Sequence, residues 1–281
     1  MVDQKRQRQR IGSNDLDVED ELLAEAADTV QEGTKRLNRR WVELIATGLF
    51  GGIDIGFGVL ALVLVKQATG SDILAGMAFG VGLLALKLAH SELFTEEFLL
   101  PINAILAGQG TWWQLVRLWS VMLVGNLAGG IAFAWLIVLA LPGYHTTLID
   151  SANSYLEPGS VGALIGLSLL AGASITLSTR MVKGTTNDVA VAIVCMISGF
   201  LVIGLGLLHG ALNAMIIFAA MFAGAEISVL QFVGWFAAVI PLNMIGGLVV
   251  ITLPRLARTY WILRAVRQGD LTLEDLQREK S

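Results

Sequence analysis

Apolar residues run along this chain in long continuous stretches, not in the spaced pattern of a half-buried surface element. Stretches at 42–65, 73–107, 112–141, 160–182, 188–222 and 229–254 each reach the roughly 20 apolar residues that a helix needs to cross hydrocarbon. Six crossings are predicted, and with them an all-α integral membrane fold. The second and fifth stretches exceed one bilayer length and are interrupted from within. The second carries His90-Ser91-Glu92 and then Leu93-Phe94-Thr95-Glu96-Glu97; the fifth carries Gly204, Gly206, His209 and Gly210. Each predicts a helix broken inside the membrane. A free N–H or C=O in lipid costs several kcal/mol, so irregular backbone at that depth is tolerated only where protein buries it or where it lines a cavity. The interruptions therefore mark a candidate path for a solute.

Composition agrees with a chain whose solvent is lipid: 55% of the 281 residues are hydrophobic and 15% charged, too apolar for one soluble core. Charge divides the chain into three. Residues 41–254 hold five of the 19 Lys and Arg, and the remaining fourteen fall in 1–40 and 255–281. The expected organisation is an N-terminal segment 1–40, a membrane domain 41–254 built from repeats at about 41–141 and 160–254, and a C-terminal tail 255–281. The first thirty residues hold Lys5, Arg6, Arg8 and Arg10 and an acidic run in place of a signal peptide. Basic residues in both tails, with Arg117, Arg180 and Lys183, predict cytoplasmic termini in a multi-pass protein of the bacterial inner membrane. The 142–159 segment, without Lys or Arg, is then an outer loop. Leu16, Leu22, Leu23 and Ala27 recur at helical spacing, predicting an amphipathic helix over 16–33 against the cytoplasmic face.

An internal repeat supports the two-half reading. Asn126-x-x-Gly129-Gly130 recurs as Asn243-x-x-Gly246-Gly247, 117 positions later, and the same offset carries Glu92 onto His209. Three crossings separate the copies, so the second half has inverted topology, an arrangement in which broken helices meet near the midplane. Small residues also let helices pack closely, and that bland role does not exclude a path.

The candidate chemistry is sparse. His209 lies in an apolar stretch with Asn213 one helical turn later, and an ionisable residue inside a membrane is a functional candidate by default. Histidine titrates near neutral pH and can give a proton or a hydrogen bond to a weak acid in transit; a core histidine bonded to a carbonyl is the plainer alternative. Lys87, His90, Glu92, Glu96 and Glu97 form a second cluster, in which a salt-bridged structural role fits Lys87 and Glu92. Asp54 in the first stretch needs a partner, and Lys87 is one candidate. Ser91 beside His90 does not make a hydrolase, since adjacent helical positions point about 100° apart and no G-x-S-x-G turn is present. The three histidines lack metal-ligand spacing, and the single Cys195 lies in an apolar stretch. No enzymatic activity, cofactor, metal or nucleic-acid partner is expected.

Glu92-Leu93-Phe94-Thr95-Glu96 in an interrupted second stretch, together with His209-x-x-x-Asn213 in an interrupted fifth, resembles the formate/nitrite transporter family over roughly residues 30–260. LFTE followed by Pro101 is closest to its YfdC-like branch, and Gly125-Asn126 fits the same family. The resemblance implies an aquaporin-like six-span fold assembled as a homopentamer, with one pore through each protomer. It implies passive or proton-coupled passage of small monovalent anions or their conjugate weak acids, with protons and membrane lipid as the other partners. Carried over, Leu93-Phe94-Thr95 would lie at the inner side of the pore beside His209, with Thr95 and His209 as the hydrogen-bonding pair. Phe79, Leu83, Leu93, Ile175 and Val202 match the two apolar constrictions, and Asn213 matches as it stands. A carboxylate entering such a slit loses hydration worth several kcal/mol, whereas its protonated acid does not, so neutralisation near His209 would precede passage.

Three positions depart from the family pattern. The vestibule lysine has no counterpart in Asn153-Ser154-Tyr155-Leu156-Glu157, the asparagine of span four is Gly172, and the acid before the central histidine is Leu208. Lys87 would replace the missing base if it faced the pore. Two other functions stay open at this point: a pore of the same fold for another small solute, neutral or cationic, and a non-transporting membrane scaffold or sensor working through its charged tails. Aquaporins proper would need two Asn-Pro-Ala motifs, which are absent.

Overall fold

The computed structural model describes residues 16–272, whose regular elements are all helices, with no strand among them. In chain order the helices are α1 (Leu16–Leu37), α2 (Trp41–Thr69), α3 (Asp72–Leu88), α4 (Leu100–Leu106), α5 (Trp112–Ala140), α6 (His145–Leu156), α7 (Val161–Lys183), α8 (Asp188–Gly204), α9 (Gly210–Phe222), α10 (Val229–Ile245) and α11 (Leu253–Gln268). Short 3-10 turns occupy Phe94–Glu96 and Pro142–Tyr144, and Gly246–Thr252 is a π-helical turn. Four continuous helical runs, Trp41–Thr69, Trp112–Ala140, Val161–Lys183 and Val229–Gln268, are long and apolar enough to cross a membrane. Polar residues delimit the apolar helices: Ser71 Oγ accepts from Leu74 N–H at 3.2 Å, Ser160 Oγ from Ala163 N–H at 3.1 Å, and Asn187 Oδ1 from Val189 N–H at 2.9 Å, each satisfying a donor that the helix start leaves open.

The chain forms two compact units. One gathers, among the described residues, 16–39, 99–118 and 253–272 and is held by an apolar cluster of Ala26, Ala27 and Val30 from α1, Ala107, and Ile262, Leu263 and Val266 from α11. Thr29 Oγ1 accepts from Asn103 Nδ2 at 3.1 Å, and the Arg117 guanidinium donates to the Leu37 and Arg39 carbonyls at 2.7 and 2.9 Å. Leu23 and Ala27 of the anticipated amphipathic face lie against this cluster. The side chains of Leu16 and Leu22, and the basic residues Lys5 to Arg10, lie outside the described residues.

The other unit, 40–98 and 119–252, carries the two interruptions and the large apolar core. The 142–159 segment is not the loop expected from its polarity. It folds into α6 because Leu148, Ala152 and Tyr155 recur on one helical face, and all three enter that core. Gln67 ties its start to α2, donating to the Gly143 carbonyl and accepting from Thr147 Oγ1, both at 3.1 Å.

Within this unit the halves repeat in detail. Helices α3 and α8 are both 17 residues long and start at Asp72 and Asp188, 116 positions apart. Beyond each helix the backbone turns left-handed, at His90 (φ 59°) and Gly206 (φ 62°). Ser91 N–H then bonds the Leu86 carbonyl at 3.1 Å, and Leu207 N–H bonds the Val202 carbonyl at 2.8 Å. The register of the interruptions is therefore 116, not the 117 read from the asparagines, and the pairing of Glu92 with His209 is corrected by one residue. Leu93 is the counterpart of His209, and Glu92 that of Leu208. The discrepancy arises because Phe94 and Asn126 are 32 residues apart whereas Gly210 and Asn243 are 33 apart.

Candidate functional site

The two asparagines fasten the interruptions. Asn126 Oδ1 accepts from Phe94 N–H at 2.8 Å, while its amide donates to the carbonyls of Gly48 at 2.9 Å and Glu92 at 3.0 Å. Asn243 does the same in the other half: Oδ1 accepts from Gly210 N–H, and the amide donates to the Ser168 and Leu208 carbonyls, all at 2.8 Å. Both are buried, and each satisfies one N–H and one carbonyl that the interruption leaves open, while its second amide hydrogen ties that loop to a neighbouring continuous helix at Gly48 or Ser168. An asparagine can do this because one planar group offers an acceptor and two donors.

Glycine brings the supporting helices close enough. A Cβ on Gly52 would lie 2.2 Å from the Asn126 carbonyl oxygen, and one on Gly172 only 1.9 Å from that of Asn243. Position 172 thus has no room for any side chain, which accounts for the glycine standing where the family resemblance placed an asparagine.

His209 and Thr95, one from each interruption, meet. The Nε2 of His209 lies 2.9 Å from Thr95 Oγ1, and its Nδ1 accepts from Leu212 N–H at 3.3 Å, capping α9. A ring nitrogen that accepts from an amide carries no proton, so the neutral ring holds its hydrogen on Nε2 and donates it to Thr95 Oγ1. The Thr95 hydroxyl keeps its own hydrogen to donate onward. Asn213, a turn along α9, donates from Nδ2 to the Leu207 carbonyl at 3.3 Å. Its Oδ1 and the Thr176 Oγ1 are buried oxygens without a hydrogen-bond partner. Sequence reasoning missed Thr176, although it adjoins Ile175.

Phe79, Leu83, Leu93, Ile175 and Val202 are buried and belong to one apolar cluster. Phe94 is not part of it. Its ring meets Phe98 edge-on at 5.1 Å and Trp119 at 6.4 Å, so it anchors the loop to neighbouring aromatics.

The charged residues pair differently from expectation. Lys87 Nζ binds Glu96, not Asp54 or Glu92, and the Ser91 hydroxyl donates to Asp54. The partner of Lys87 is nine residues away across the interruption, a spacing that helical neighbour rules do not anticipate. With its charge compensated there, Lys87 is not a free base replacing the missing vestibule lysine. Among the described residues no three His, Cys, Asp or Glu side chains converge as metal ligands would.

Long apolar helices and two interruptions stapled by buried carboxamides are the build of a helical membrane channel or transporter. Residues 24–257 match the family described as Formate/nitrite transporter, and the chain belongs to that family. It is 28% identical over 111 residues to the inner membrane protein YfdC of Escherichia coli K12, a match covering 37% of this chain and 36% of that protein. Against the uncharacterized transporter YrhG of Bacillus subtilis 168 it is 24% identical over 247 residues, covering 82% of this chain and 90% of the relative. Two solved structures share the fold. A pentameric formate channel with formate bound superposes with a TM-score of 0.64 at 19% identity, covering 79% of this chain and 97% of its own. An FNT family ion channel does so with a TM-score of 0.66 at 17% identity, covering 86% and 98%.

Proposed function

We propose that the protein passes small monovalent anions, or their conjugate weak acids, across the bacterial inner membrane, and that His209 and Thr95 are the polar point of the route. In this reading segments 72–106 and 188–222 are each one crossing broken midway, so that residues 41–254 cross six times as an inverted, aquaporin-like repeat. Both termini lie in the cytoplasm, and five copies assemble with a pore in each. The fold likeness to a pentameric formate channel supports the assembly and the solute class.

The observation that carries the proposal is the 2.9 Å contact of buried His209 Nε2 with buried Thr95 Oγ1; this reading takes Phe79, Leu83, Leu93, Ile175 and Val202 of the large apolar core as the shell around it. An anion entering that shell is penalised by lost hydration, whereas a neutral acid is not. The Thr95 hydroxyl, polarised through His209, donates to the solute oxygen where water no longer does. The open acceptor of Asn213 receives the hydrogen of a protonated acid. His209 acts here as a neutral donor, because a proton added at Nδ1 would remove the acceptor for Leu212 N–H.

The test is flux through the purified full chain in liposomes, with formate, nitrite and larger weak acids set against urea and glycerol over a range of pH. Faster entry of the small acids, lost in His209→Ala, is expected. Equal flux in wild type and His209→Ala would overturn the assignment.

A further inference from the structure

The interruption after α3 is closed by an ion pair that the interruption after α8 does without. Lys87 stands in the last turn of α3, and Glu96 ends the 3-10 turn beyond the gap. Its two carboxylate oxygens are divided: Oε1 takes Lys87 Nζ, and Oε2 accepts from Leu93 N–H at 3.4 Å, the long end of hydrogen bonding. The stretch so enclosed, Leu93 to Thr95, is the one that presents Leu93 to the apolar shell and Thr95 to His209. Both ends of the pair are withdrawn from solvent, with side chains 15% and 3% exposed.

The register of 116 identifies the counterparts in the other half. Lys87 corresponds to Ile203 and Glu96 to Leu212, both apolar and buried. There the turn is capped from the opposite side, by the His209 ring on Leu212 N–H. The two halves thus divide a capping box: the first uses the side chain of its third residue, the second the side chain of its cap residue. Apolar residues therefore serve at these two positions in the other half. Replacing a buried ion pair by well-packed apolar residues is often neutral or stabilising, whereas removing one partner is strongly destabilising. Stability alone does not account for the charges.

We infer that Lys87 and Glu96 form an electrostatic latch that positions the Leu93–Thr95 loop and so sets which solutes pass. They are positioning residues, since neither needs to touch the solute. Lys87 fixes Glu96, Glu96 fixes the Leu93 amide, and the loop then holds the Thr95 hydroxyl against His209. The inference rests on the region being a solute path, and its test has an arm that needs no transport.

The single cysteine, Cys195, is buried, so Cys195→Ser leaves a background in which Leu93→Cys reports on the loop alone. In the full chain, labelling of that cysteine by methyl methanethiosulfonate is expected to be slow with Lys87 or Lys87→Arg. It is expected to rise about tenfold or more in Lys87→Met and in the double variant Lys87→Ile with Glu96→Leu. The double variant copies the Ile203–Leu212 pair and should melt close to the parent while labelling fast. That combination separates positioning from a merely structural role. In liposomes the same variants, without the reporter, should lose preference for formate over lactate. Parent-like labelling in Lys87→Met or the folded double variant overturns the latch. If wild type carries no small anion while labelling behaves as stated, the transport reading falls and the latch stands.

Discussion

Asn126 and Asn243 each take one N–H from the residue that resumes the chain after an interruption, and each gives its amide hydrogens to two carbonyls. The two residues sit on different helices and perform the same closure. Replacing either by alanine leaves one buried N–H and the carbonyl of the interrupted backbone, Glu92 or Leu208, without the asparagine that pairs them, at about 1–3 kcal/mol for each group left unpaired. Asn126→Ala and Asn243→Ala are therefore expected to lower the melting midpoint in detergent sharply. Asn→Asp is expected to be no better, since an acceptor would then face two carbonyls. A midpoint unchanged by alanine would show that the interruptions hold without their staples.

His90 occupies at φ 59° the place that Gly206 occupies at 62°. The left-handed region costs an ordinary residue about 1–2 kcal/mol, and the His90 side chain is exposed, so it has little packing to offset that. His90→Gly is expected to be neutral or stabilising by up to about 1 kcal/mol, and Gly206→Ala destabilising by a similar amount. Opposite shifts of the two melting midpoints are the check. Shifts of the same sign would refute the strain argument.

The tautomer of His209 follows from its two contacts. Solid-state nitrogen NMR of the histidine-labelled protein should find a neutral ring with Nδ1 unprotonated and Nε2 bearing the hydrogen, in a signal that His209→Ala removes. Thr95→Ser should keep that signal and the flux. Thr95→Val, which leaves the Nε2–H without its acceptor, should lower formate flux about tenfold, equivalent to about 1.4 kcal/mol. Flux in Thr95→Val equal to wild type would remove the hydroxyl from the route.

Gly52 and Gly172 should tolerate no side chain. A Cβ at either meets a carbonyl oxygen at 2.2 or 1.9 Å, and overpacking of this kind costs about 1–3 kcal/mol or more because backbone must move. Gly166→Ala is the matched control in α7, since nothing lies within 4 Å of its added carbon and helix propensity favours alanine by about 1 kcal/mol. Folded yield after detergent extraction should fall in the first two variants only.

The sequence made the apolar helices legible because hydrocarbon demands length, and length is visible without tertiary contacts. The repeat was legible through Asn126 and Asn243, though not the duty of those residues. Two glycines after an asparagine signal close packing, not which carbonyls the amide will reach. The pairing of Lys87 with Glu96 was illegible for a related reason. Rules of helical spacing stop at a helix end, and this pair lies across one. Phe94 adjoins Leu93 and Thr95 in sequence, yet successive side chains in a 3-10 turn diverge, and its ring meets Phe98 and Trp119. The polarity of 142–159 hides its helix, although Leu148, Ala152 and Tyr155 carry a helical face in the sequence.

The close approaches at Gly52 and Gly172 bear on how such a molecule can work. Where two backbones touch with no side chain between them, there is no lubricant layer that could shear, and the pairs α2–α5 and α7–α10 behave as fused girders. A cycle that slid α2 past α5, or α7 past α10, would have to pull those seams open. Each seam lies inside one half of the repeat, so it travels as a unit in any larger motion. Within a half, what remains free to move is small: a turn of a few residues and the side chains around it.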